Sequence, residues 1–86
     1  MEIEQLRVFL TLAETKNFTR AAERLFVSHS TVSRSLSALE EELGVRLIER
    51  DNRVIGLTEA GERLRERASE LLSLADAIGE EMRSMP

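Results

Sequence analysis

The sequence predicts a mainly α-helical fold in which three helices and a two-stranded β-hairpin precede one long helix. Apolar residues recur at helical spacing in separate segments. Two β-compatible runs, at 46–50 and 54–57, flank the turn-like sequence Asp51–Asn52–Arg53. The last segment begins at the capping residue Thr58 and contains no proline until Pro86. Because an isolated hairpin is marginal in water, we expect it to lie against the helices.

The first two helices are expected at 3–15 and from Thr19 to about Leu25. The first carries an apolar stripe, made of Ile3, Leu6, Phe9, Leu10 and Ala13. Asn17 lies just past this stripe and can take the left-handed conformation that ends helices. Thr19 is then the expected N-cap of the second helix. The side chains expected to face inward from the second helix are Ala22, Leu25 and Phe26.

The third helix is expected to begin at the cap residue Ser28, to run to about Leu43 and to stop at Gly44. Its apolar stripe consists of Val32, Leu36, Leu39 and Leu43. The rest of the helix is rich in hydroxyl groups, although serine and threonine are mediocre helix formers. These residues are Ser28, Ser30, Thr31, Ser33, Ser35 and Ser37.

The side of the third helix opposite its apolar stripe has almost no long side chain in its first two turns except Arg34. Short side chains let a helix axis approach another surface closely. Hydroxyls can bond to phosphate oxygens or base edges, and a helix start attracts phosphate. We therefore interpret this side as shaped to enter a DNA groove. The alternative, an ordinary solvent-facing side, would more often carry glutamate, lysine and glutamine.

The second and third helices, joined by a tight turn, match the helix-turn-helix arrangement, and the hairpin makes it the winged variant. Arg53 lies at the hairpin tip, where an arginine can enter the minor groove or meet the DNA backbone. Arg50 lies on the near strand. Two alternatives stay open, since Arg50 could belong to an internal ion pair and Arg53 could simply be solvated.

The final helix is expected to be about 28 residues long, or roughly 42 Å, which exceeds what so small a body can cover. Its apolar residues recur at spacings of four and three, the pattern of a heptad seam. They are Leu64, Ala68, Leu71, Ala75, Ile78, Met82 and Met85. We interpret the part from Leu64 to Met82 as a dimer seam. The alternative is that the stripe packs on its own domain.

Composition and charge exclude several classes of protein. The net charge is −4, but residues 17–37 hold three arginines against the single acid Glu23, so the hydroxyl-rich region is locally basic. The absence of cysteine excludes disulfides and thiolate chemistry. No apolar run approaches the roughly 18 residues of a membrane span, and no signal-peptide pattern opens the chain. We therefore expect a cytoplasmic protein without a membrane partner.

Catalytic residues, a metal site and a cofactor are not expected. His29 is the single histidine and no cysteine accompanies it, which argues against a zinc site. The four glycines are scattered, so they form no glycine-rich phosphate loop. The acidic run from Glu40 to Glu42 is interpreted as a solvated helix face, because neighbours on a helix point in different directions. The sequence thus predicts a protein that is not an enzyme.

The stretch NFTRAAERLFVSHSTVSRSLSALEEELGVRLIER, followed by LTEAG, strongly resembles the N-terminal domain of LysR-type transcriptional regulators. The resemblance runs from about Leu6 into the final helix, with the helix-turn-helix, the wing and LTEAG in the family's order and spacing. It implies a winged helix-turn-helix that binds operator DNA and dimerises through its last helix.

The resemblance also implies roles for individual residues. Thr19 would contact a backbone phosphate, and Arg53 would be the wing-tip arginine. The groove-facing start of the reading helix would consist of Ser28, His29, Ser30, Thr31, Ser33 and Arg34. Ser37, from the outward face, and Arg50, from the near strand, complete the predicted DNA contacts.

Three positions depart from the family's usual pattern. His29 stands where glutamine is common, Ile48 replaces a frequent phenylalanine, and Gly56 occupies a wing position that is often basic. An imidazole can donate and accept like an amide, so His29 still suits a base or phosphate, but the preferred base can differ. Gly56 predicts fewer wing contacts.

We divide the chain into a DNA-binding domain at 1–57 and a linker helix at 58–86 that forms the dimer seam. Chains of this family normally continue into a two-lobed effector domain that binds a small molecule. We expect the present chain to be a domain excised at the hinge near Pro86, with an unusual stand-alone version as the alternative. An inducer is expected to bind only the absent effector domain.

The predicted function is sequence-specific binding of double-stranded DNA by a homodimer at a two-fold operator. The alternative from another class is a protein-interaction or oligomerisation module built on the long helix. That alternative explains the acidic net charge and the heptads, but it leaves the hydroxyl face and Arg53 without a role.

Overall fold

The computed structural model describes residues 1–50 and 55–86 as four helices and one hairpin. The elements are α1 (Ile3–Thr15), α2 (Phe18–Leu25), α3 (His29–Leu43), β1 (Ile48–Arg50), β2 (Ile55–Leu57) and α4 (Glu59–Arg83). The two strands pair antiparallel, with Ile48 opposite Leu57 and Arg50 opposite Ile55. The predicted fold class, a mainly helical winged helix-turn-helix with a long final helix, is confirmed.

The boundary between α1 and α2 differs from the expectation by one residue at the end of α1 and by two at the cap of α2. Lys16, not Asn17, takes the left-handed conformation, with φ of 54°, and ends α1. Asn17 is extended and caps α2, because its Oδ1 accepts a hydrogen bond from the Arg20 backbone N–H at 2.9 Å. Thr19 is therefore not the N-cap but lies in the first turn of α2. The asparagine amide oxygen reaches this turn from one position before the helix starts.

Phe26 was expected to face inward, and this expectation is wrong. The residue ends α2 in a left-handed conformation, with φ of 57°, and its side chain is 94% exposed. Its backbone N–H donates to the carbonyls of Ala22 and Glu23, and the N–H of Val27 donates to Ala22 at 3.0 Å. This turn satisfies the last carbonyls of α2 and directs the Phe26 side chain away from the core.

The predicted ends of α3 are confirmed. Ser28 Oγ accepts a hydrogen bond from the Thr31 backbone N–H at 3.1 Å. Gly44 closes the helix with φ of 72°, and its N–H donates to the Glu40 carbonyl at 2.8 Å. Glycine tolerates this left-handed conformation without a side-chain penalty. Both signals are local, which explains why the sequence specifies them.

One apolar core joins all four helices and the base of the hairpin. The largest fully buried side chains are Phe9, Leu6, Leu12, Leu36, Leu39, Leu47, Ile48 and Val32. α1 lies in the middle, since it packs against α2, α3 and α4. From α4 the buried members are Ala68 and Leu72, and Arg7 of α1 pairs with Asp76 of α4 at 3.1 Å. The part of α4 up to Asp76 therefore belongs to the same packed body as the helix-turn-helix.

The acidic run at 40–42 is not simply a solvated face. The Glu40 carboxylate accepts hydrogen bonds from the backbone N–H groups of Leu47 at 2.7 Å and Ile48 at 3.3 Å. The Glu42 carboxylate bonds to the amino group of Met1 and raises the pKa of that group. Glu41 alone of the three is exposed with no hydrogen bond or ion pair among the described residues. Two of the three acids thus fasten α3 to other segments.

Thr58 caps α4 as predicted and also fixes the hairpin to it. Its Oγ1 accepts a hydrogen bond from the Gly61 backbone N–H at 3.0 Å and donates to the Arg46 carbonyl at 2.6 Å. The Thr58 backbone N–H donates to the Leu47 carbonyl at 3.1 Å. The start of α4 is therefore bonded to the chain just before β1. None of the described helices is long and apolar enough to cross a membrane.

Candidate nucleic-acid interface

The hydroxyl-rich side of α3 lies on the surface of the chain. Ser28, His29, Ser30, Arg34 and Ser37 are exposed, and Thr31 and Ser33 are half-buried. The opposite side of the helix is buried through Val32, Leu36 and Leu39. The first two turns therefore present short polar side chains to solvent, with the Arg34 guanidinium among them.

The start of α3 concentrates hydroxyl groups around its capping residue. Ser28 Oγ lies 3.2 Å from Ser30 Oγ and 2.9 Å from Thr31 Oγ1, while it also caps the helix. Hydroxyl groups can rotate to donate or accept, so such a cluster can turn its protons toward an anion. The positive end of the helix dipole adds to the attraction for phosphate.

The cation on this face, Arg34, is set apart from the paired arginines of the helical body. Arg7 and Arg24 form ion pairs with Asp76 and Glu14 on the helical body. Arg34, in contrast, forms no ion pair with any residue that the structure describes. Its positive charge is thus available beside the hydroxyl groups of α3.

Two further predicted DNA contacts lie against one buried aromatic ring, and a third follows the ring in the chain. The Arg50 guanidinium carbon, Cζ, is 4.3 Å from the centroid of the Phe18 ring. The His29 ring centroid is 5.4 Å from the same centroid, with 34° between the ring planes. Thr19, the next residue after Phe18, is exposed in the first turn of α2. The structure thus brings His29 and Arg50 together on the Phe18 ring, and Thr19 lies in the same turn of α2 as that ring.

The sequence did not indicate Phe18 as a residue of the candidate interface. It is buried at 9% exposure, and its partners are 11 and 32 positions away in the chain. No spacing rule links residues at such distances, so no signal in the sequence pointed to this stack.

The alternative of an internal ion pair for Arg50 has no support among the described residues, where its contact is the ring. Arg53, the predicted wing-tip arginine, lies outside the described residues.

The apolar stripe of α4 divides into a covered half and an exposed half. Ala68 is 2% exposed, so it belongs to the core of its own chain and has no surface left for a seam. Leu64 also packs against this core, and Ala75 is half-buried. The large side chains that stay exposed are Leu71 at 41%, Leu74 at 59%, Ile78 at 53%, Met82 at 56% and Met85 at 63%. The large exposed side chains that a partner helix could cover therefore lie from Leu71 onward.

Comparison with known protein families assigns the chain to a family of helix-turn-helix proteins. The family model for bacterial regulatory helix-turn-helix proteins of the lysR family matches residues 3–62. The chain belongs to the lysR family. The resemblance seen in the sequence is thereby confirmed.

Two curated relatives of this lysR-family chain illustrate the similarity. The transcriptional regulator IlvY of Escherichia coli (strain K12) is 50% identical over 72 residues, which are 84% of this chain and 24% of IlvY. The transcriptional regulator TcbR of Pseudomonas sp. (strain P51) is 44% identical over 84 residues, or 98% of this chain and 29% of TcbR. The chain spans about a quarter of the length of these regulators.

Two solved structures that resemble the lysR-family chain contain DNA. The CbnR DNA-binding domain in complex with DNA superposes with a TM-score of 0.91 at 44% identity and covers 98% of this chain and 97% of that one. The BenM DNA-binding domain bound to the benA site 1 DNA has a TM-score of 0.92 at 36% identity and covers 96% of each chain. The fold of this lysR-family chain is therefore that of domains crystallised in complex with DNA.

Proposed function

We propose that the chain is the sequence-specific double-stranded DNA-binding domain of a transcriptional regulator. The observation that carries this proposal is the exposed side of α3, whose short hydroxyl side chains surround the unpaired charge of Arg34 in the described part of the chain. A helix of this shape fits the major groove, where each base pair presents a distinct pattern of donors and acceptors. Membership of the lysR family and the DNA complexes of CbnR and BenM support the same function.

The residues divide into those that position the helix and those that read bases. Thr19, Ser28, Thr31 and Arg50 are proposed to contact phosphates, because hydroxyls and a guanidinium at helix and strand ends suit the backbone. His29, Ser30, Ser33, Arg34 and Ser37 are proposed to face the base edges. An arginine that meets guanine O6 and N7 with two donors discriminates best among these contacts. Arg53 is proposed to contact the minor groove or the adjacent backbone.

A homodimer is proposed to bind a two-fold operator. The exposed stripe from Leu71 to Met82 would pack against the same stripe of a second copy, because a two-fold interface uses one patch on both subunits. Two copies of α3 then meet two half-sites separated by one turn of DNA or by multiples of a turn. We assign residues 1–57 to DNA binding and 58–86 to this linkage.

The remaining assignments follow from this function. The curated relatives are transcriptional regulators, and we propose no enzymatic activity, metal or cofactor for this chain. Since the proposed partner is chromosomal DNA, we propose that the protein acts in the cytoplasm. A small-molecule inducer is proposed to bind an effector domain outside these 86 residues.

Selection of bound sequences from a random duplex library tests the function. We expect enrichment of a two-fold symmetric sequence, and a Kd for it that rises steeply with salt because phosphate contacts release counterions. A library that yields no enriched sequence would refute specific DNA binding. Sedimentation of the same protein without DNA separates the alternative, since a pure oligomerisation module would form dimers yet show no salt-dependent affinity for any duplex.

A further inference from the structure

The Phe18 ring connects two proposed DNA contacts from different parts of the chain. Arg50 ends β1, and His29 opens α3. The Arg50 Cζ lies 4.3 Å from the ring centroid, and the imidazole centroid lies 5.4 Å from it. Phe18 is buried, whereas Arg50 and His29 are exposed. A ring held by the core thus supports one exposed cation from the hairpin and one exposed imidazole from the reading helix.

The Phe18 ring is itself fixed by the start of α2. The residue follows the cap Asn17 directly, and the Asn17 side chain bonds to the Arg20 backbone N–H. Ala21 and Ala22, in the same turn, are buried in the core. The cap therefore fixes the backbone that carries the ring, and burial restricts the rotamers of the ring, in the same turn of α2 that carries Thr19.

Stacking on a fixed ring prepares an arginine to bind phosphate. A guanidinium that lies over an aromatic face keeps its N–H donors, since these project from the edge of the planar group. A free arginine loses rotamer freedom when a phosphate immobilises it, and that loss weakens binding. Arg50 has lost part of this freedom before DNA arrives, because the ring already restricts it.

Resting on the proposed function, we propose that Phe18 is the positioning residue of the interface. It holds the Arg50 guanidinium ready for a DNA phosphate and orients His29 at the start of α3. The base of the hairpin and the reading helix thereby meet the duplex as one unit. Phe18 acts through these two side chains and makes no DNA contact of its own.

A double-mutant cycle in the full 86-residue chain measures this coupling. The variants are Phe18→Leu, Arg50→Ala and the double variant, and the probe is a labelled duplex recovered from the library selection. We expect each single change to weaken binding about 3- to 10-fold. The double variant should lose clearly less affinity than the sum of the two single losses, because Phe18 acts in part through Arg50 and only its effect on His29 adds to the loss of Arg50. Additive losses would overturn the positioning role.

Salt dependence provides a measurement that a merely structural role would not change. Loss of one phosphate contact lowers the slope of log K against log salt by about 1. We expect this decrease in both Phe18→Leu and Arg50→Ala. An unchanged slope in Phe18→Leu, with folding verified by circular dichroism, would contradict the proposal. Arg67→Ala, which removes an exposed arginine of α4, is the matched control and should keep the wild-type slope.

Arg50→Lys keeps the test decisive if Phe18→Leu does not fold. Arg50 is exposed, so this change leaves the core intact. Lysine preserves the charge but lacks the planar group that stacks on the ring and binds phosphate through two donors. We expect it to weaken binding nearly as much as Arg50→Ala. Wild-type affinity in Arg50→Lys would show that charge alone suffices and would overturn the proposal.

Nuclear magnetic resonance of the free protein separates this proposal from the proposed function. The ring current of Phe18 should shift the Arg50 Hδ and His29 ring protons, and Arg50→Ala should alter the His29 signals through the shared ring. Random-coil shifts for both groups would overturn the stack even if the chain binds DNA. If the shifts are present but the wild-type chain binds no duplex, the proposed function fails and the positioning role fails with it.

Discussion

Gly61, in the first turn of α4, lies directly against the backbone of Leu47. A β-carbon at position 61 would be 2.1 Å from the Leu47 carbonyl oxygen and 3.1 Å from its carbonyl carbon. The same carbonyl oxygen accepts the hydrogen bond of the Thr58 backbone N–H. The glycine of the LTEAG sequence therefore permits α4 to start in contact with the chain that leads into β1.

Gly61→Ala should destabilise the fold by about 1–3 kcal/mol, because the clash is with backbone that cannot rotate away. Urea unfolding at fixed protein concentration measures the change. The matched control is Gly79→Ala in the same helix, where the added β-carbon meets only the end of the Arg83 side chain at 3.1 Å. Since alanine is the better helix former, the control should gain about 0.5–1 kcal/mol. Equal stability of the two variants would contradict this account of Gly61.

Glu40→Ala should destabilise the fold by about 1–3 kcal/mol. The change removes the acceptor of the Leu47 and Ile48 backbone N–H groups, and a donor left without a partner near the core costs its desolvation. Its exposed neighbour Glu41 offers the control Glu41→Ala, which should shift the free energy of unfolding by less than about 0.5 kcal/mol. Thermal or urea unfolding distinguishes the two, and similar effects would show that the carboxylate bonds contribute nothing.

Arg34→Ala should weaken binding to the selected duplex by about 1–3 kcal/mol, or roughly 5- to 150-fold in Kd. Arg34 is exposed, so the melting temperature should stay nearly constant. Ser33→Ala should also weaken binding, by a smaller factor, because it removes one hydroxyl. Fluorescence anisotropy measures both. Normal affinity in both variants would refute the assignment of this face, and Arg67→Ala controls for the loss of one positive charge.

Ile78→Glu or Leu71→Glu should convert dimers to monomers in sedimentation experiments. Each change places an uncompensated carboxylate within the proposed contact of two exposed stripes, and burying such a charge costs several kcal/mol. Ser73→Glu adds the same charge at an exposed position across the helix and should leave the dimer intact. Dimers that persist at micromolar concentration in Ile78→Glu and Leu71→Glu would place the seam elsewhere.

The features that the sequence predicted are those encoded locally. The capping bonds of Ser28, Gly44 and Thr58 involve residues at most four positions away, so these caps could be recognised without a structure. The hydroxyl side of α3 was likewise predicted from helical periodicity alone, because both faces of one helix are fixed by its own sequence.

The features that the sequence missed depend on contacts between distant segments. The stack of Arg50 on Phe18 and the bonds from Glu40 to the segment before β1 exist only after the chain has folded. Ala68 followed the heptad pattern, yet packing against α1 decides that it is buried. Lys16 and Phe26 end helices in a left-handed conformation that glycine or asparagine usually adopts. The positions of both helix ends were therefore predicted wrongly from residue type.

The attachment of α4 has a geometric consequence for any dimer. The part of this helix up to Asp76 is attached directly to the helix-turn-helix body. The attachment is made by the buried side chains of Ala68 and Leu72 and by the Arg7–Asp76 ion pair. The helix therefore moves together with the helix-turn-helix as one rigid unit, so a change in the tilt of α4 also changes the orientation of α3. In a dimer, the distance between the two copies of α3 then depends on the angle at which the two α4 helices cross. The same dimer can therefore bind operators of different half-site spacing only if that crossing angle changes.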